Sequence, residues 1–590
     1  FYEQTNPTGP EIIDTEDWGV RGKIQFAPGE LFFFDDVRIV ASGYRLDHVG
    51  SDANVKNQFD PSPLANLLGA SATATPYEAG SDLPDTNRTQ MEGLNLKATL
   101  GLHWLDLVSI TAYQDVRNQG YVDYDATPAH GAGFGGPNFA KTFSQEVQLI
   151  SKDWEHFEWV AGGYYLTGDA GFVPLNFFLG TPLPAFPLPV LTQLLSNPPV
   201  LPLPELPGPN VTLPSNQIPV PVPIPELPVP SVPGNAVYVY VPLATIVDTD
   251  AYAGFGQLTW KPVDWLRLTG GLRYSTETRA LSRNEIYQPG FITDPASVDT
   301  DPPPFPRGTP IVRRTPRSKD FSNVSPKFGI ELPFEDLWFA DSLLLYATHT
   351  KGFKSGTYNP VAVVEEPLPV KEEEVTAIEF GFKSDLFDRN VRLNVAAFTY
   401  DYDNLQLQTI ALTSGGAVRL ENAGKATVRG LDFDLVWAPL DRLELSLGGA
   451  LLHSEYDECN CSGFDPNTGL AFKGDFSGNQ LVRAPEFTGT AQASYGFDVP
   501  GGSGEIAGTA YYNDGYWFDA QNTFFQGSYT LYGARLSYLH DWSSLRFTLY
   551  GANLSDEEYL VNGNVNDFGR FGTYASPRSF GGRVEWRFDA

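Results

Sequence analysis

Most of this chain repeats one pattern, in which apolar and polar side chains alternate through short segments. In RLELSLGGALL (442–452), Leu443, Leu445, Leu447 and Leu451 share one face, while Arg442, Glu444 and Ser446 take the other. In TAIEFGFK (376–383), Thr376, Ile378, Phe380 and Phe382 oppose Glu379 and Lys383. In LRLTGGLRY (266–274), Leu266, Leu268, Leu272 and Tyr274 oppose Arg267, Thr269 and Arg273. A period of two is the signature of a β-strand. A soluble sandwich packs its two inner faces dry against each other. Here Arg and Glu recur on the face that would have to be dry, which favours a wet interior. Segments of about ten alternating residues with aromatics near their ends fit a transmembrane antiparallel β-barrel, with one face to lipid and one to a water-filled lumen.

The connections test that expectation independently. Strands are predicted to begin near Asp17, Asp36, Met91, Asp106, Phe143, Phe157, Asp248, Trp265, Phe321, Ser342, Glu374, Asn390, Val418, Arg442, Leu481, Gly504, Gly527, Ser544 and Ala575, nineteen in all. Short joins such as APGE, HWLD, KDWEH, KPVDW, LFDRN, APLDR, VPGGSG and HDWSS alternate with long ones. The long ones include 49–90, 120–141, 286–319 and 556–574. Short periplasmic turns and long extracellular loops are the outer-membrane arrangement. No helical domain is predicted, and FEDLWFADS (334–342) is the nearest approach to a short helix. Bacterial single-chain barrels have even strand numbers, so nineteen strands predict an N-terminally incomplete barrel with an odd number missing. On this reading residues 1–590 form one domain.

Composition removes several classes. The net charge of −32 argues against nucleic acid as a partner, since its phosphates need Lys and Arg to displace counterions. No uncharged apolar run is long enough for a membrane helix, and the opening FYEQTNP lacks the form of a signal peptide. The seven His are scattered, and no zinc-protease, nucleophile-elbow or phosphate-loop motif occurs. Neither catalytic residues, a metal site nor a cofactor is therefore predicted. GAGFGG (131–136) is read as a flexible loop, and His130 and His453 as solvent-facing. Cys459 and Cys461 in DECNCSG could be a local disulfide or half of a metal site, and a structural role is preferred.

Eight segments then occur in the order of a known family: DTDAYAGFGQLTWKPVDWLRLTGGLRYSTET (248–278), NVSPKFGIEL (323–332), LLYATHTKGFKSGTYN (344–359), EFGFKSDLFDRNVRLNVAAFTYDYDNLQLQ (379–408), ENAGKATVRGLDFDLVWAP (421–439), RAPEFTGTAQASY (483–495), YGANLSDEEYL (550–560) and YASPRSFGGRVEWRF (574–588). With them the chain resembles the barrel of TonB-dependent receptors. The resemblance implies a 22-stranded barrel in the Gram-negative outer membrane, of which about nineteen strands are visible here. It also implies a plug domain, a TonB-binding segment and the TonB complex as partner; neither plug nor segment is found in this chain. It implies uptake of a scarce extracellular small molecule, a ferric siderophore before oligosaccharides or cobalamin. A passive porin-like channel and a surface structural or adhesion protein are the alternatives.

The resemblance also places candidate residues. Ligands would meet the outer mouth at Lys354, Tyr358 and Asn359 in GFKSGTYNP, and at Tyr516, Trp517, Phe518 and Phe524 in YYNDGYWFDAQNTFF. Aromatics suit aryl ligands and equally suit loop packing or the interfacial girdle. Gly582, Val584, Trp586 and Phe588 look like the signal read by the barrel-assembly machinery, although Asp589 and Ala590 follow.

One segment has no family counterpart. Residues 174–242 hold 20 of the 48 prolines and only two charges, Glu205 and Glu226. Such a run usually joins domains, yet the same strand pattern continues on both sides. It is read as an extracellular insertion of polyproline II character, with an apolar surface suited to a surface lipoprotein or neighbouring subunit.

Overall fold

The computed structural model describes residues 2–4, 15–50, 56–67, 70–73, 75–83, 87–128, 132–152, 154–180, 238–287, 290–292, 310–359, 361, 367–411 and 416–587. Among them, nineteen long strands form one antiparallel barrel wall. In chain order these are Glu16–Leu31, Phe34–Gly50, Asn87–Gly101, Leu105–Asp123, Ala132–Ser151, Phe157–Gly180, Tyr238–Val263, Leu266–Ile286, Arg317–Leu337, Ala340–Lys354, Glu373–Leu386, Val391–Asp403, Gly424–Leu440, Leu443–Phe464, Phe487–Val499, Gly502–Asn513, Tyr529–His540, Leu545–Ala552 and Ser579–Trp586. Each is registered to the next. Among the described residues, no register pair joins the first of them to the last. The first is exposed along nearly all its length.

The two faces carry the predicted chemistry. Ile24 (76% exposed), Phe328 (59%) and Phe580 (75%) lie bare on the outward face, where lipid replaces water around them. The opposite face holds cross-strand ion pairs. Arg442 meets Asp498 at 2.7 Å, Arg535 meets Glu505 at 2.5 Å, and Arg267 meets Glu331 at 3.8 Å. These pairs are largely exposed, so solvent screening leaves each of them weak; together they keep the lumen wall polar.

All short joins fall on one side and all long joins on the other. FEDLWFADS is a tight turn between two strands, not a helix, with only Trp338 and Phe339 outside them. The turn at Val499–Gly502 needs Gly501 at φ 79°, a conformation that costs any residue with a Cβ.

The rim on the long-join side is uneven. The Phe157–Gly180 and Tyr238–Val263 strands have 24 and 26 residues, whereas Leu545–Ala552 and Ser579–Trp586 have 8 each. About 9–11 tilted residues cross a bilayer, so the tall strands stand well clear of it. Their tops carry a core of their own: Leu175, Phe177, Val241, Leu243, Ile286 and Val361 are buried together.

Several expectations change. The 120–141 segment is mostly strand, because pairing runs on to Asp123 and resumes at Ala132. Ala132–Gly136 is consequently strand and not flexible loop. Its glycines serve close approach, since a Cβ on Gly133 would stand 1.9 Å from Leu83 Cδ1. The strand expected near Val418 begins at Gly424, because Gly416–Asn422 pairs instead with Gln406–Ala411 in a separate hairpin. A five-residue helix, Pro63–Leu67, sits in the first long join. Cys459 and Cys461 are bonded to each other and buried with Ala423, Ala426, Tyr456 and Phe476. Strand pairing includes Leu175–Gly180 and Tyr238–Pro242, so both ends of the proline-rich segment belong to the wall. Residues 181–237, with His130 and Phe588, lie outside the described residues.

Candidate functional site at the outer mouth

The long joins build a second tier over the barrel. Asn57–Pro61 from the first join, Gly569–Tyr574 and Leu560–Asn566 from the last form a three-stranded sheet. Side chains stitch it from below. Gln58 Nε2 donates to Phe568 O (2.8 Å) and Ser62 Oγ to Asp567 O (2.6 Å). Asn566 Nδ2 donates to Tyr124 O (3.0 Å), bringing the start of the next join into the same assembly.

Aromatic rings fill the space between this sheet and the 514–528 join. Tyr77 meets Tyr574 at 5.7 Å and Tyr574 meets Phe59 at 6.0 Å. Phe59 meets Phe524 at 5.7 Å, Phe524 meets Phe518 at 5.0 Å, and Phe518 stands edge-on to Tyr516 at 5.3 Å. Tyr529 and Tyr559 stack at 4.3 Å beside them. Edge-on and offset rings are the favourable arrangements for aromatic pairs. Burial pushes the Tyr516 and Tyr559 hydroxyls up, so they stay protonated donors.

The sequence-derived candidates separate into two groups. Tyr516, Trp517, Phe518 and Phe524 come together, each half-buried. Tyr516 Oη donates to Leu560 O (3.3 Å), and Trp517 packs on Phe525 at 4.7 Å. The second group is spread out. Lys354 is exposed at a strand end opposite Glu373. Tyr358 is 2% exposed and packed with Val247 and Leu281. Asn359 holds the Gly416–Asn422 strand through Leu420. Gly582, Val584 and Trp586 lie in the last strand, with Val584 and Trp586 on the bare outward face.

Sequence reasoning missed two features. Arg483 lies over Phe518, 5.8 Å from the ring centroid, and its Nη2 donates to Asn562 Oδ1. Asp82, Asp123 and Asp125 bring carboxylate oxygens within 4.8 Å of one another. Lys56 Nζ lies against this trio and donates to Asp123 O (2.9 Å). Asp125 Oδ2 accepts from the Ala132 amide (2.7 Å) and Oδ1 from the Thr127 hydroxyl and amide. Burial, then the Asp82 charge, pushes the Asp125 carboxyl up to about 8.

Known proteins resemble this architecture. A family model described as TonB dependent receptor-like, beta-barrel, matches residues 29–554. Among solved structures, the ferric yersiniabactin uptake receptor FyuA from Yersinia pestis is similar, with a TM-score of 0.67 and 16% identity over 98% of this chain and 71% of that one. The siderophore receptor PiuA from Acinetobacter baumannii gives a TM-score of 0.65 at 16% identity, over 97% of this chain and 74% of that one. The copper transporter OprC gives 0.59 at 11% identity, over 97% and 72%. At such identities the likeness is one of fold.

Proposed function

The chain belongs to the TonB-dependent receptor family, transporters of the Gram-negative outer membrane, and from that premise we propose that its cargo is a ferric siderophore captured at the outer mouth. The family is not enzymatic: the protein's work is to bind a ligand outside and pass it inward. The observation that carries the siderophore reading is the cluster of half-buried aromatics, Tyr516, Trp517, Phe518 and Phe524, gathered where the outer loops meet. Flat aryl-bearing ligands gain most from such a surface, because ring faces and edges pair with one another. FyuA and PiuA, similar in fold, are described as receptors of this cargo class. Passage would draw on the TonB complex acting through a plug, and the polar lumen wall would face that plug.

The test is binding followed by uptake. The purified protein is titrated with a ferric tris-catecholate, a ferric tris-hydroxamate and free copper(II), and its tryptophan fluorescence is followed. Uptake of radioactive iron is then measured in an iron-starved strain with and without the gene. Saturable binding of a ferric complex, with gene-dependent uptake abolished by loss of TonB, is expected. Binding of copper alone, matching the cargo of OprC, would replace the siderophore reading. TonB-independent passage of any small solute would point to a passive channel.

A further inference from the structure

Arg483 differs from several other cations of the outer tier. Arg570 faces Asp60, Arg578 faces Asp556, and Lys473 faces Glu421. Arg283 and Arg313 share Glu285. In a chain with 71 acidic and 39 basic residues, such pairing is the expected state of a cation. Among the described residues, no carboxylate lies within ion-pair distance of the Arg483 guanidinium. Its contacts are neutral: the Asn562 carbonyl oxygen and the face of Phe518.

The backbone holds it there at a cost. Arg483 has φ 54°, the left-handed region that a side chain with a Cβ adopts at roughly 1 kcal/mol or more. The conformation is fixed by its amide, which donates to Trp517 O at 2.8 Å. The contact ties the 476–486 segment to the aromatic loop. The side chain stays exposed. A guanidinium over a ring, with spare N–H donors and no ion-pair partner among the described residues, suits a ligand that is both aromatic and anionic.

We propose that Arg483 is the anion-reading residue of the mouth, and that the ligand it takes is an aryl oxyanion, a catecholate or phenolate. Phe518 and Tyr516 supply the stacking surface, and Asn562 aims the guanidinium. This rests on the siderophore reading above and narrows it from ferric siderophores in general to the aryl-oxygen class.

Two variants test it in the full chain. Arg483→Asn removes the guanidinium but keeps the turn, because Asn tolerates positive φ. Asn562→Asp leaves Arg483 in place and gives it an internal carboxylate. Folding of both is checked by heat-modifiable migration of the barrel. The probes are an anionic ferric tris-catecholate and an uncharged ferric tris-hydroxamate. Both variants are expected to bind the tris-catecholate about ten- to a hundredfold more weakly, the effect of losing a hydrogen bond to a charged group. Any binding of the tris-hydroxamate should be left within about twofold, and wild-type affinity for the tris-catecholate should fall with salt. Unchanged tris-catecholate affinity in both variants, equal losses on both probes, or a wild type that prefers the tris-hydroxamate overturns the assignment. A wild type that binds neither ferric complex removes the siderophore reading itself.

Discussion

Asn359 pairs with Leu420 as though it were a strand. Its Nδ2 donates to Leu420 O at 2.9 Å, and its Oδ1 accepts from the Leu420 amide at 2.7 Å. One side chain thus satisfies both backbone groups of a residue in a neighbouring outer loop. Asn359→Ala should cost about 1–2 kcal/mol in that loop and leave the barrel unchanged. Hydrogen exchange should accelerate across residues 406–411 and 416–422, while the Glu373–Leu386 strand keeps its protection. Uniform acceleration in both would contradict a local clasp.

The acidic trio makes the contacts of Asp125 with Thr127 and Ala132 sensitive to pH. Asp125 has a folded value raised to about 8 from an unfolded value near 3.8. A raised carboxyl binds its proton more tightly when folded, so the folded state holds more protons between those values. Local stability is therefore full below about pH 4 and declines as pH rises through about 8. Exchange at the Thr127 and Ala132 amides, corrected for intrinsic rates, should quicken from pH 5 to pH 8.5. Asp82→Asn should flatten that trend by removing the charge that faces Asp125; an unaltered profile would show that Asp82 is not a cause.

Outward and lumen faces should answer oppositely to charge. Phe328→Arg places a cation on the lipid face and should cost about 2–4 kcal/mol if it lies near the bilayer midplane. Its neighbour Lys327 takes the other face of the same strand, so Lys327→Ala should change stability by less than about 1 kcal/mol. Urea-driven unfolding from lipid vesicles, read by tryptophan emission, compares the two. Equal costs would reject the face assignment.

Gly133 is a position where space alone decides. A methyl group there would meet Leu83 Cδ1 at 1.9 Å and Val122 O at 2.9 Å. Gly133→Ala should displace Leu83 from Tyr121 and Phe178, its buried neighbours, at about 1–3 kcal/mol. Limited proteolysis should then cut within residues 75–83 while the barrel stays intact. Wild-type resistance at that site would mean the neighbours give way cheaply.

The wall was legible in the sequence, whereas its upper tier was not. Period-two alternation is a local signal, and nineteen strands emerged from it because each strand declares its own faces. The outer joins obey no such period. Gly416–Asn422 alternates as a wall strand does, so nothing local separates the hairpin from the barrel. Gly133 and Gly135 read as loop residues because strand propensity disfavours glycine, yet they pair as strand with Asp123 and Tyr121, and glycine stands there because Leu83 and Tyr121 leave no room for a Cβ. The dense aromatics of 511–525 announced themselves. Their partners Phe59 and Tyr574 did not, since the contacts join opposite ends of the chain. Arg483 in NQLVRAPEF is ordinary as sequence; its interest comes from the absence of a counter-charge among the described residues, which only the fold reveals.

Gly180 and Tyr238 are register partners at the top of the two tallest strands. The chain therefore departs from the rim and returns to it at a single point. The two longest strands thus share one summit on the rim.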